Sequence, residues 1–432
     1  MDLKTLAMSA KKTSTRLAAV DSKRKNNALK AIAAAMKKHT ADIVAANKID
    51  LEKASKENIS PAVLKRLKFD EHKIDDVCSG IKNLIDLDDP TNKTLYAMQM
   101  DKGLDLYKVS CPIGVIGVIF ESRPDALVQI STLCLKSGNA VILKGGTEAA
   151  NTNQKLYEII NKASVKAGIP ENWIQILQTR EDVQKILSLD KYIDLLIPRG
   201  SNQFVKYIMD NTNIPVLGHA DGICHIYVDE QADIEMAINI TIDAKTQYAA
   251  VCNSVETLLV HKNIALKFLP RIKDALEAKG TELRGCEKTT KIINIKQANE
   301  KDWLTEYLAD ILSIRIVDSI DEAIDHINTY GSHHTDAIIT QSRTLAAEFM
   351  QLVDSANVFL NASTRFSDGF RYGLGAEVGI STNKIHARGP VGLEGLVIYK
   401  WKLIGSGQIV GDYTGTDAKP FTHKKLKSDF HL

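Results

Sequence analysis

Residues 115–146 read VIGVIFESRPDALVQISTLCLKSGNAVILKGG, and this stretch decides the fold class. Two short apolar runs, Val115–Phe120 and Ala140–Leu143, enclose a run of helical character near Ala126–Lys136. Strands that are almost wholly apolar and β-branched are expected when helices cover both faces of a parallel sheet. The stretch therefore predicts a strand–helix–strand unit of a doubly wound α/β domain.

The alternation of strand-like and helical runs continues along the chain in two series. The first series adds a helix over Asn151–Ala167 and strands at Trp173–Leu177 and Tyr192–Ile197. The second series begins near residue 215 and contains strands at His225–Val228, Val255–Val260, Ala337–Thr340 and Val358–Leu360, with helices from Ile234 and near Ile264–Ala278. This pattern predicts two α/β lobes.

The remaining segments flank these two lobes. Residues 1–88 have the apolar spacing of helices, with Leu29, Ile32 and Met36 on one face. Residues 95–109, and the chain from residue 396 onward, alternate apolar and polar residues. That alternation favours extended peripheral arms, followed by a polar tail.

Charge and hydropathy exclude several classes of protein. Lys plus Arg is 55 and Asp plus Glu is 53, so no basic field is available for nucleic acid or an anionic membrane. The most apolar run, Ile113–Phe120, is far shorter than the roughly 20 residues of a membrane span. Because the N-terminus also lacks the apolar core of a secretory signal, we expect a cytoplasmic location.

Cysteine usage indicates chemistry rather than crosslinks. The six cysteines are scattered without a CxxC pair, which argues against a disulfide scaffold or structural zinc. Cys252 lies in KTQYAAVCNSVETLLVH (residues 245–261), where small and polar residues precede an apolar strand. A loop thiol near backbone N–H groups and cations can become a nucleophilic thiolate. The alternative, a buried small hydrophobe, is commoner and suits Cys78, Cys134 and Cys224.

A strand-to-helix turn, VILKGGTEAANTN (residues 141–153), is a candidate for phosphate or ribose binding. Gly145 and Gly146 would let a ligand approach the backbone, Lys144 offers a cation, and the next helix supplies a positive N-terminus. The alternative is a plain turn, because neither GxGxxG in the expected place nor a P-loop motif is present.

Two later segments also carry polar residues of interest. The Gly-rich run at residues 359–395 contains Arg365, Arg371 and Arg388, and a loop of that length favours function over packing. His333 and His334 could suggest a metal, but adjacent strand histidines point to opposite faces and no other ligand stands at a suitable spacing. The sequence therefore predicts no metal site there.

These segments together resemble the γ-glutamyl phosphate reductase family of the aldehyde dehydrogenase superfamily. The similarity runs from about Asp2 to Asp412, and its most specific element is VDSIDEAIDHINTYGSHHTDAI (Val317–Ile338). CPIGVIGVIFESRPD, LIPRGS, VLGHADGICHIYVD, VCNSVETLLVH and KIHARGPVGLEG also look like motifs of the family. YAAVCN and NASTRFSDGF are most similar to the reductase half of the bifunctional pyrroline-carboxylate synthases, although the sequence shows no glutamate kinase domain.

The resemblance implies an α/β fold with two doubly wound, Rossmann-like lobes of the aldehyde dehydrogenase type and a small oligomerisation arm. Residues 1–215 would form the N-terminal helices and the NADP-binding domain, with a return of residues 362–395 to that domain left open. Residues 216–361 would form the catalytic domain. Residues 95–112 and 396–432 would form the arm and tail.

The implied activity is that of a glutamate-5-semialdehyde dehydrogenase acting in proline biosynthesis. It reduces L-glutamyl 5-phosphate to L-glutamate 5-semialdehyde and phosphate with NADPH, through a thioester on Cys252. The cofactor would be NADP(H), with no metal, and the chain would form a homo-oligomer. A glutamate kinase partner is left open.

The resemblance also assigns site residues. The matching cofactor-binding positions are Lys144, Gly145, Gly146, Thr147, Gly200, Ser201 and Glu306. The expected contacts to the phosphate or the glutamyl α-carboxylate are Ser122, Arg123, Asn361, Thr364 and Arg365. Ser122 stands where an oxyanion-binding asparagine often lies, which leaves the Cys252 backbone N–H as an alternative oxyanion donor.

Two departures from the oxidative aldehyde dehydrogenases favour a reductase. Val216 replaces the glutamate that activates water, so a thioester would survive hydrolysis. Thr147 stands where an acid often meets the ribose 2′-hydroxyl, which favours NADP. The competing hypotheses are an oxidative aldehyde dehydrogenase, which needs no phosphate, and an inactive homologue that acts as a scaffold.

Overall fold

The computed structural model describes residues 2–57, 59, 61–177, 181–219 and 221–431. The chain divides into two compact units. Unit 1 contains Met1–Gly200, Tyr207–Val216 and Gly392–Leu432, and unit 2 contains Ser201–Lys206 and Leu217–Val391.

The secondary structure alternates between helices and strands over most of the chain. The α-helices are α1 (Leu3–Leu17), α2 (Ser22–Lys38), α3 (Thr40–Lys56), α4 (Pro61–Leu67), α5 (Glu71–Asp86), α6 (Pro124–Lys136), α7 (Ala150–Lys166), α8 (Glu181–Leu187), α9 (Asn202–Asp210), α10 (Ile234–Thr246), α11 (Lys262–Glu277), α12 (Glu287–Thr290), α13 (Glu300–Trp303), α14 (Ile320–Tyr330) and α15 (Arg343–Leu352). The strands are β1 (Thr94–Asp101), β2 (Leu104–Pro112), β3 (Val115–Phe120), β4 (Ala140–Lys144), β5 (Ile174–Leu177), β6 (Leu195–Arg199), β7 (Cys224–Val228), β8 (Val255–His261), β9 (Glu282–Gly285), β10 (Lys296–Gln297), β11 (Ile311–Val317), β12 (Thr335–Ile339), β13 (Asn357–Leu360), β14 (Gly379–Ser381), β15 (Gly389–Val391), β16 (Val397–Ile404) and β17 (Lys424–Lys425).

Unit 1 contains the parallel sheet that the opening stretch predicts. Its strand order is β5-β4-β3-β6, and β3 and β4 are buried along their whole length. The chain adds β4 and β5 on one side of β3 and then places β6 on the other side. The direction of winding therefore reverses next to β3, and ligands of doubly wound sheets bind at the carboxyl ends of strands at such a reversal. The predicted α/β fold class is confirmed.

Unit 2 contains a seven-stranded parallel sheet in the order β10-β9-β11-β8-β7-β12-β13. Alternate residues of its central strands enter different cores, so Leu258 packs with Phe268 of α11 while Leu259 packs with Phe349 of α15. Helices thus cover both faces of this sheet, which explains why its central strands β7, β8 and β12 are buried along their whole length. The strands β9, β10 and β11 were not predicted, because Ser313 and Arg315 interrupt the apolar run in β11.

The predicted arms form an antiparallel sheet in unit 1, in the order β16-β2-β1-β17. The polar tail pairs with this sheet through β17, and the Phe430 ring contacts the Tyr107 ring with centroids 5.5 Å apart. The tail is therefore docked on the arm. Among the described residues, no helix is long and apolar enough to cross a membrane.

The Gly-rich segment lies in unit 2 up to Val391, so residues 362–391 do not return to the first unit as the sequence left open. Thr364 Oγ1 donates to the Asn253 carbonyl at 2.7 Å, and the Thr382 N–H donates to the Gly218 carbonyl at 3.4 Å. These bonds tie the segment to the loops that precede β7 and β8 in unit 2. The chain passes to unit 1 at Gly392.

Asp50 joins helix α3 to the start of helix α7 inside unit 1. Its side chain is 1% exposed, and its two oxygens accept from the backbone N–H groups of Asn151 and Thr152 at 3.2 and 2.8 Å. It also accepts from the Asn151 amide and from the Thr152 hydroxyl, the latter at 2.6 Å. A carboxylate at this position satisfies the first-turn donors of α7 and complements the helix dipole.

Replacing Asp50 with Ala leaves those buried donors without an acceptor, and we expect the free energy of unfolding to fall by about 2–3 kcal/mol. Urea unfolding monitored by circular dichroism measures the change. Asp75→Ala is the matched control, because Asp75 lies on exposed surface of α5 and pairs only with Lys37 at 3.1 Å. The control should lose less than about 0.5 kcal/mol. Equal losses in the two variants would contradict the assigned role of Asp50.

Candidate active site

The candidate site of unit 2 lies at the amino ends of three neighbouring parallel strands. Cys252 stands three residues before β8, Gly222 two residues before β7, and His334 immediately before β12. Since β8, β7 and β12 are adjacent in the sheet, residues far apart in sequence meet at this edge. The structure thus confirms that Cys252 occupies a turn before an apolar strand, where its residue is partly exposed.

A buried ion pair closes the turn that carries Cys252. Lys245, near the end of α10, donates to Glu256 in β8 at 2.7 Å, and both side chains are fully buried. Burial raises the pKa of Glu256 to about 8 and lowers the pKa of Lys245, because a charge is costly in the protein interior. The Ser254 hydroxyl adds a bond to the Ala244 carbonyl at 3.3 Å. These contacts fix both ends of the turn.

Gly222 packs directly against the backbone of Cys252. A Cβ at this glycine would lie 2.2 Å from the Cys252 carbonyl oxygen and 2.5 Å from its Cα. The Gly222 N–H also bonds to the carboxylate of Glu306, which accepts a second bond from the Asn202 amide. Burial, the largest effect, raises the pKa of Glu306. Gly222 therefore contacts both Cys252 and Glu306, which is a predicted cofactor residue.

Arg365 is the cation that the structure associates with Cys252. It is 8% exposed, and its Nε donates to the Gln247 side chain at 3.0 Å. Burial and then Arg371 lower the pKa of Arg365, whereas the charge of Cys252 acts in the opposite direction. An arginine in this position can stabilise a thiolate or hold an anionic substrate group.

Two other predicted substrate residues have structural bonds. Thr364 is fully buried, and its hydroxyl donates to the Asn253 carbonyl, next to Cys252. The Asn361 amide donates to the Thr340 carbonyl and accepts from the Thr340 N–H, both at 2.9 Å. Asn361 has a positive φ of 52°, which the two bonds to the neighbouring strand end hold in place. Thr364 thus bonds to the turn that carries Cys252. Asn361 instead lies at the carboxyl ends of β12 and β13, opposite the edge that holds Cys252, so the structure does not bring this predicted contact to the site.

The histidine pair does not behave as the sequence predicted. His333 and His334 precede β12, so the strand argument does not apply, and His334 is fully buried. The ligand atoms of His219, Cys252 and His334 lie within 4.8 Å of one another. Spacing along the sequence did not reveal this proximity, because the sheet topology brings a cysteine 82 positions away close to His334. The prediction of no metal there stays a prediction.

The ring of His334 is buried against a hydroxyl, a thiol and a second imidazole. Its Nδ1 lies 2.8 Å from the Thr335 hydroxyl and 3.7 Å from the Cys224 thiol, while its Nε2 is buried with no hydrogen-bond partner. Burial, followed by the charge of His219, lowers the pKa of His334 well below its ordinary value. The ring is therefore neutral at physiological pH.

Three of the other cysteines are buried small residues, as the sequence predicted. Cys78, Cys134 and Cys224 are fully buried, and burial raises the pKa of each thiol. The Cys224 thiol contacts the Cys252 carbonyl oxygen at 3.2 Å, so it packs beneath the nucleophile candidate. A thiol whose pKa is raised is a poor nucleophile near neutral pH.

In unit 1 the glycines of the KGG turn accommodate the protein's own side chains. A Cβ at Gly145 would lie 2.3 Å from the Asn153 amide nitrogen, and one at Gly146 would lie 2.1 Å from a Glu148 oxygen. Lys144, at the carboxyl end of β4, is 4% exposed and donates to the Gly145 carbonyl. Thr147 follows as the first residue of a short 3₁₀ turn. Close packing therefore explains Gly145, whereas the contact at Gly146 is with the flexible end of the Glu148 side chain. Lys144 remains the cation at the strand end.

Glu148 is a site residue that the sequence reasoning missed. One of its oxygens accepts from the Ser122 N–H at 2.7 Å and from the Ser122 hydroxyl at 2.5 Å. Burial alone would raise the pKa of Glu148, but the bonds from Ser122 keep it below its ordinary value. Arg123 follows at the start of α6 and pairs with Asp125 at 3.1 Å. Ser122 and Arg123 are thus engaged within unit 1.

The other predicted cofactor residues follow the end of β6. Gly200 stands directly after this strand, Ser201 follows it, and the Arg199 carbonyl accepts from the Glu121 N–H at 3.1 Å. The turns after β3 and β6 therefore flank the reversal in unit 1, where nucleotide sites occur in doubly wound sheets. Val216, which replaces the water-activating glutamate by resemblance, is 7% exposed.

Comparisons with known proteins define the class to which this fold and site belong. The model of the aldehyde dehydrogenase family matches residues 1–310. The chain therefore belongs to the aldehyde dehydrogenase family. Within that family it belongs to the γ-glutamyl phosphate reductases, because relatives of that name match it over nearly its full length.

Relatives of that name cover the whole chain. A gamma-glutamyl phosphate reductase from Acetivibrio thermocellus is 61% identical over 432 residues and covers 100% of both chains. One from Pelotomaculum thermopropionicum is also 61% identical and covers 100% of this chain and 99% of the relative. The crystal structure of the gamma-glutamyl phosphate reductase of Thermotoga maritima has a TM-score of 0.93 at 39% identity, covering 95% of this chain and 100% of that one.

The contact of Gly222 with Cys252 can be tested with two glycine-to-alanine variants whose free energies of unfolding should change in opposite directions. Gly222→Ala forces the Cys252 backbone to move, and we expect the free energy of unfolding to fall by about 1–3 kcal/mol. Gly80→Ala is the control, because Gly80 lies inside α5 with no atom within 4 Å of its Cβ position. That variant should gain about 0.5–1 kcal/mol. Chemical denaturation measures both, and an unchanged stability of Gly222→Ala would refute the contact.

Proposed function

We propose that the chain reduces L-glutamyl 5-phosphate to L-glutamate 5-semialdehyde and phosphate with NADPH, in proline biosynthesis. The observation that carries the proposal is the position of Cys252, partly exposed in a fixed turn and within electrostatic reach of the buried Arg365. The names of the full-length relatives support the substrate and the reaction.

The chemistry of Cys252 accounts for the overall reaction. The thiolate of Cys252 attacks the acyl carbon of the substrate, the bond from that carbon to the phosphate oxygen breaks, and inorganic phosphate leaves. NADPH, when bound, supplies the hydride that reduces the resulting thioester. The carbon–sulfur bond then breaks, which releases the aldehyde and restores the Cys252 thiolate.

The chain's own residues control the lifetime of the thioester. Val216 is apolar and buried where an oxidative enzyme of the superfamily has a water-activating glutamate, so hydrolysis of the thioester lacks its base. The neutral His334 lies close to the sulfur of Cys252. We favour the Cys252 backbone N–H as the oxyanion donor. Slow hydrolysis leaves reduction and phosphate exchange as the productive fates.

The residues of unit 1 fit a nicotinamide nucleotide. Lys144 is a buried cation at the carboxyl end of β4, and the turns after β3 and β6 flank the reversal of the sheet. We assign Lys144 to the adenosine ribose, the KGGT turn and Gly200–Ser201 to the phosphates, and Glu306 to the nicotinamide ribose. The charge of Lys144 favours NADP, as does the neutral Thr147, because both tolerate a 2′-phosphate. The carboxylate of Glu148, which follows Thr147, acts against that preference.

The substrate anions require arginines, and Arg365 is the contact that we assign to the acyl phosphate or the α-carboxylate. Ser122 and Arg123 remain candidate contacts of unit 1, while Thr364 supports the turn of Cys252 through its bond to the Asn253 carbonyl. Asn361 is given no contact with the substrate. A metal takes no part in this assignment.

Association with other chains completes the proposal. The edge strand β16 exposes Tyr399, Trp401 and Leu403, which are 45%, 53% and 57% exposed. An exposed apolar edge strand favours pairing with another chain, so we propose a homo-oligomer built on this arm. A glutamate kinase that delivers the labile acyl phosphate is the partner expected from the chemistry of the substrate.

The proposed function predicts that turnover needs both phosphate and Cys252. In the reverse direction, NADP⁺ reduction with glutamate 5-semialdehyde should require inorganic phosphate, which an oxidative aldehyde dehydrogenase does not need. Cys252→Ala should lower the rate by roughly 10³-fold or more, because the covalent step is lost. A spectrophotometric assay at 340 nm, the usual wavelength for the reduced nicotinamide, at roughly millimolar substrate measures both effects.

Cys286→Ala is the matched control, since Cys286 is also partly exposed but bonds with Thr289 at 3.3 Å, away from the site. It should retain wild-type turnover. Activity without phosphate would favour an oxidative enzyme instead. No activity in the wild type with either nucleotide would favour a scaffold, and full activity of Cys252→Ala would refute the role of Cys252 as the nucleophile.

A further inference from the structure

The cluster of His219, Cys252 and His334 has a feature that the proposed reduction does not use. Three nitrogen and sulfur ligand atoms lie within 4.8 Å of one another, and two of them belong to histidines from separate loops, one before β7 and one before β12. A tetrahedral zinc site, with Zn–S near 2.3 Å and Zn–N near 2.0–2.1 Å, places its ligand atoms roughly 3.3–3.7 Å apart. A contraction of about 1 Å therefore converts the cluster into a metal site.

The two imidazole rings are already prepared for coordination. His219 Nδ1 lies 3.1 Å from the Ile380 carbonyl oxygen, which can only accept, so Nδ1 carries the proton and Nε2 is the basic nitrogen. A histidine that ligates a metal commonly donates its other ring N–H to a backbone carbonyl in this way. The rings of His219 and His334 meet edge to face with centroids 5.0 Å apart.

The second observation is the unsatisfied nitrogen of His334. Its Nε2 is buried and makes no hydrogen bond, and a buried polar atom without a partner is costly. A bound cation is one of the partners that removes such a cost. The cluster contains no carboxylate, so the ligand set suits a borderline or soft cation and not magnesium or calcium.

We propose that His219, Cys252 and His334 form an inhibitory site for Zn²⁺. The metal would take the Cys252 thiolate as a ligand and leave a fourth position to water, so that the sulfur cannot attack an acyl phosphate. This consequence rests on the proposed function, whereas the metal site itself rests only on the geometry of the three side chains.

The direct test uses the full-length, reduced chain, freed of metal with a chelator and titrated with Zn²⁺ alone. Binding is followed by competition with a chromophoric chelator, and Co²⁺ is used separately for the sulfur-to-metal charge-transfer band. We expect one Zn²⁺ per chain. Cys252→Ser, His219→Ala and His334→Ala should each weaken binding by tenfold or more, and Cys252→Ser should abolish the charge-transfer band.

Two controls separate this site from general metal binding. Cys111→Ser removes another partly exposed cysteine, on β2, and His333→Ala removes the neighbour of His334; both should bind Zn²⁺ as the wild type does. Mg²⁺ should not bind. Zn²⁺ should also slow alkylation of Cys252 by iodoacetamide at least tenfold, as peptide mass spectrometry measures in the unmodified chain.

The outcomes are distinguishable from those of the proposed function. Unchanged Zn²⁺ affinity in His219→Ala, or no protection of Cys252 from alkylation, would overturn the metal site even if His334→Ala fails to fold. If Zn²⁺ binds through the three residues but Cys252→Ala still turns over, the metal site stands and the proposed function fails. If Cys252→Ala is inactive and Zn²⁺ binds elsewhere, the proposed function stands and the metal site fails.

Discussion

The close packing of Gly222 on the backbone of Cys252 is the contact on which the rest of the candidate site depends. A side chain at position 222 would overlap the Cys252 carbonyl oxygen, so only glycine lets the segment before β7 and the turn before β8 lie together. The same glycine bonds to Glu306. One residue without a side chain thus sets the position of the sulfur relative to the carboxylate that we assign to the nicotinamide ribose.

The parallel sheet of unit 2 explains why these groups meet. Adjacent parallel strands start at the same edge, so the segments that precede β8, β7 and β12 converge although Cys252 and His334 are far apart in sequence. The buried pair of Lys245 and Glu256 then fixes the turn from within the core. Breaking such a pair leaves an uncompensated buried group, and this rigidity is what a positioned nucleophile requires.

The sequence predicted the fold in most places where apolar runs are uninterrupted. The strands β3, β4, β7 and β8 lie where the runs indicated, since burial on both faces makes most of their residues apolar. β11 was missed because it carries Ser313 and Arg315. For the site, the motif around Cys252 was sufficient to find the turn, whereas Glu148, Gly222 and the role of His334 depend on contacts between distant segments that spacing does not reveal.

The central claim is that a glutamyl group is carried on the sulfur of Cys252, and mass spectrometry of trapped turnover mixtures tests it most directly. The chain is mixed with glutamyl phosphate without NADPH, quenched in acid and digested. The account predicts a glutamyl adduct on the peptide that contains Cys252, which disappears when NADPH is added before the quench. An adduct on another residue, or no adduct in a preparation that turns over, would contradict it.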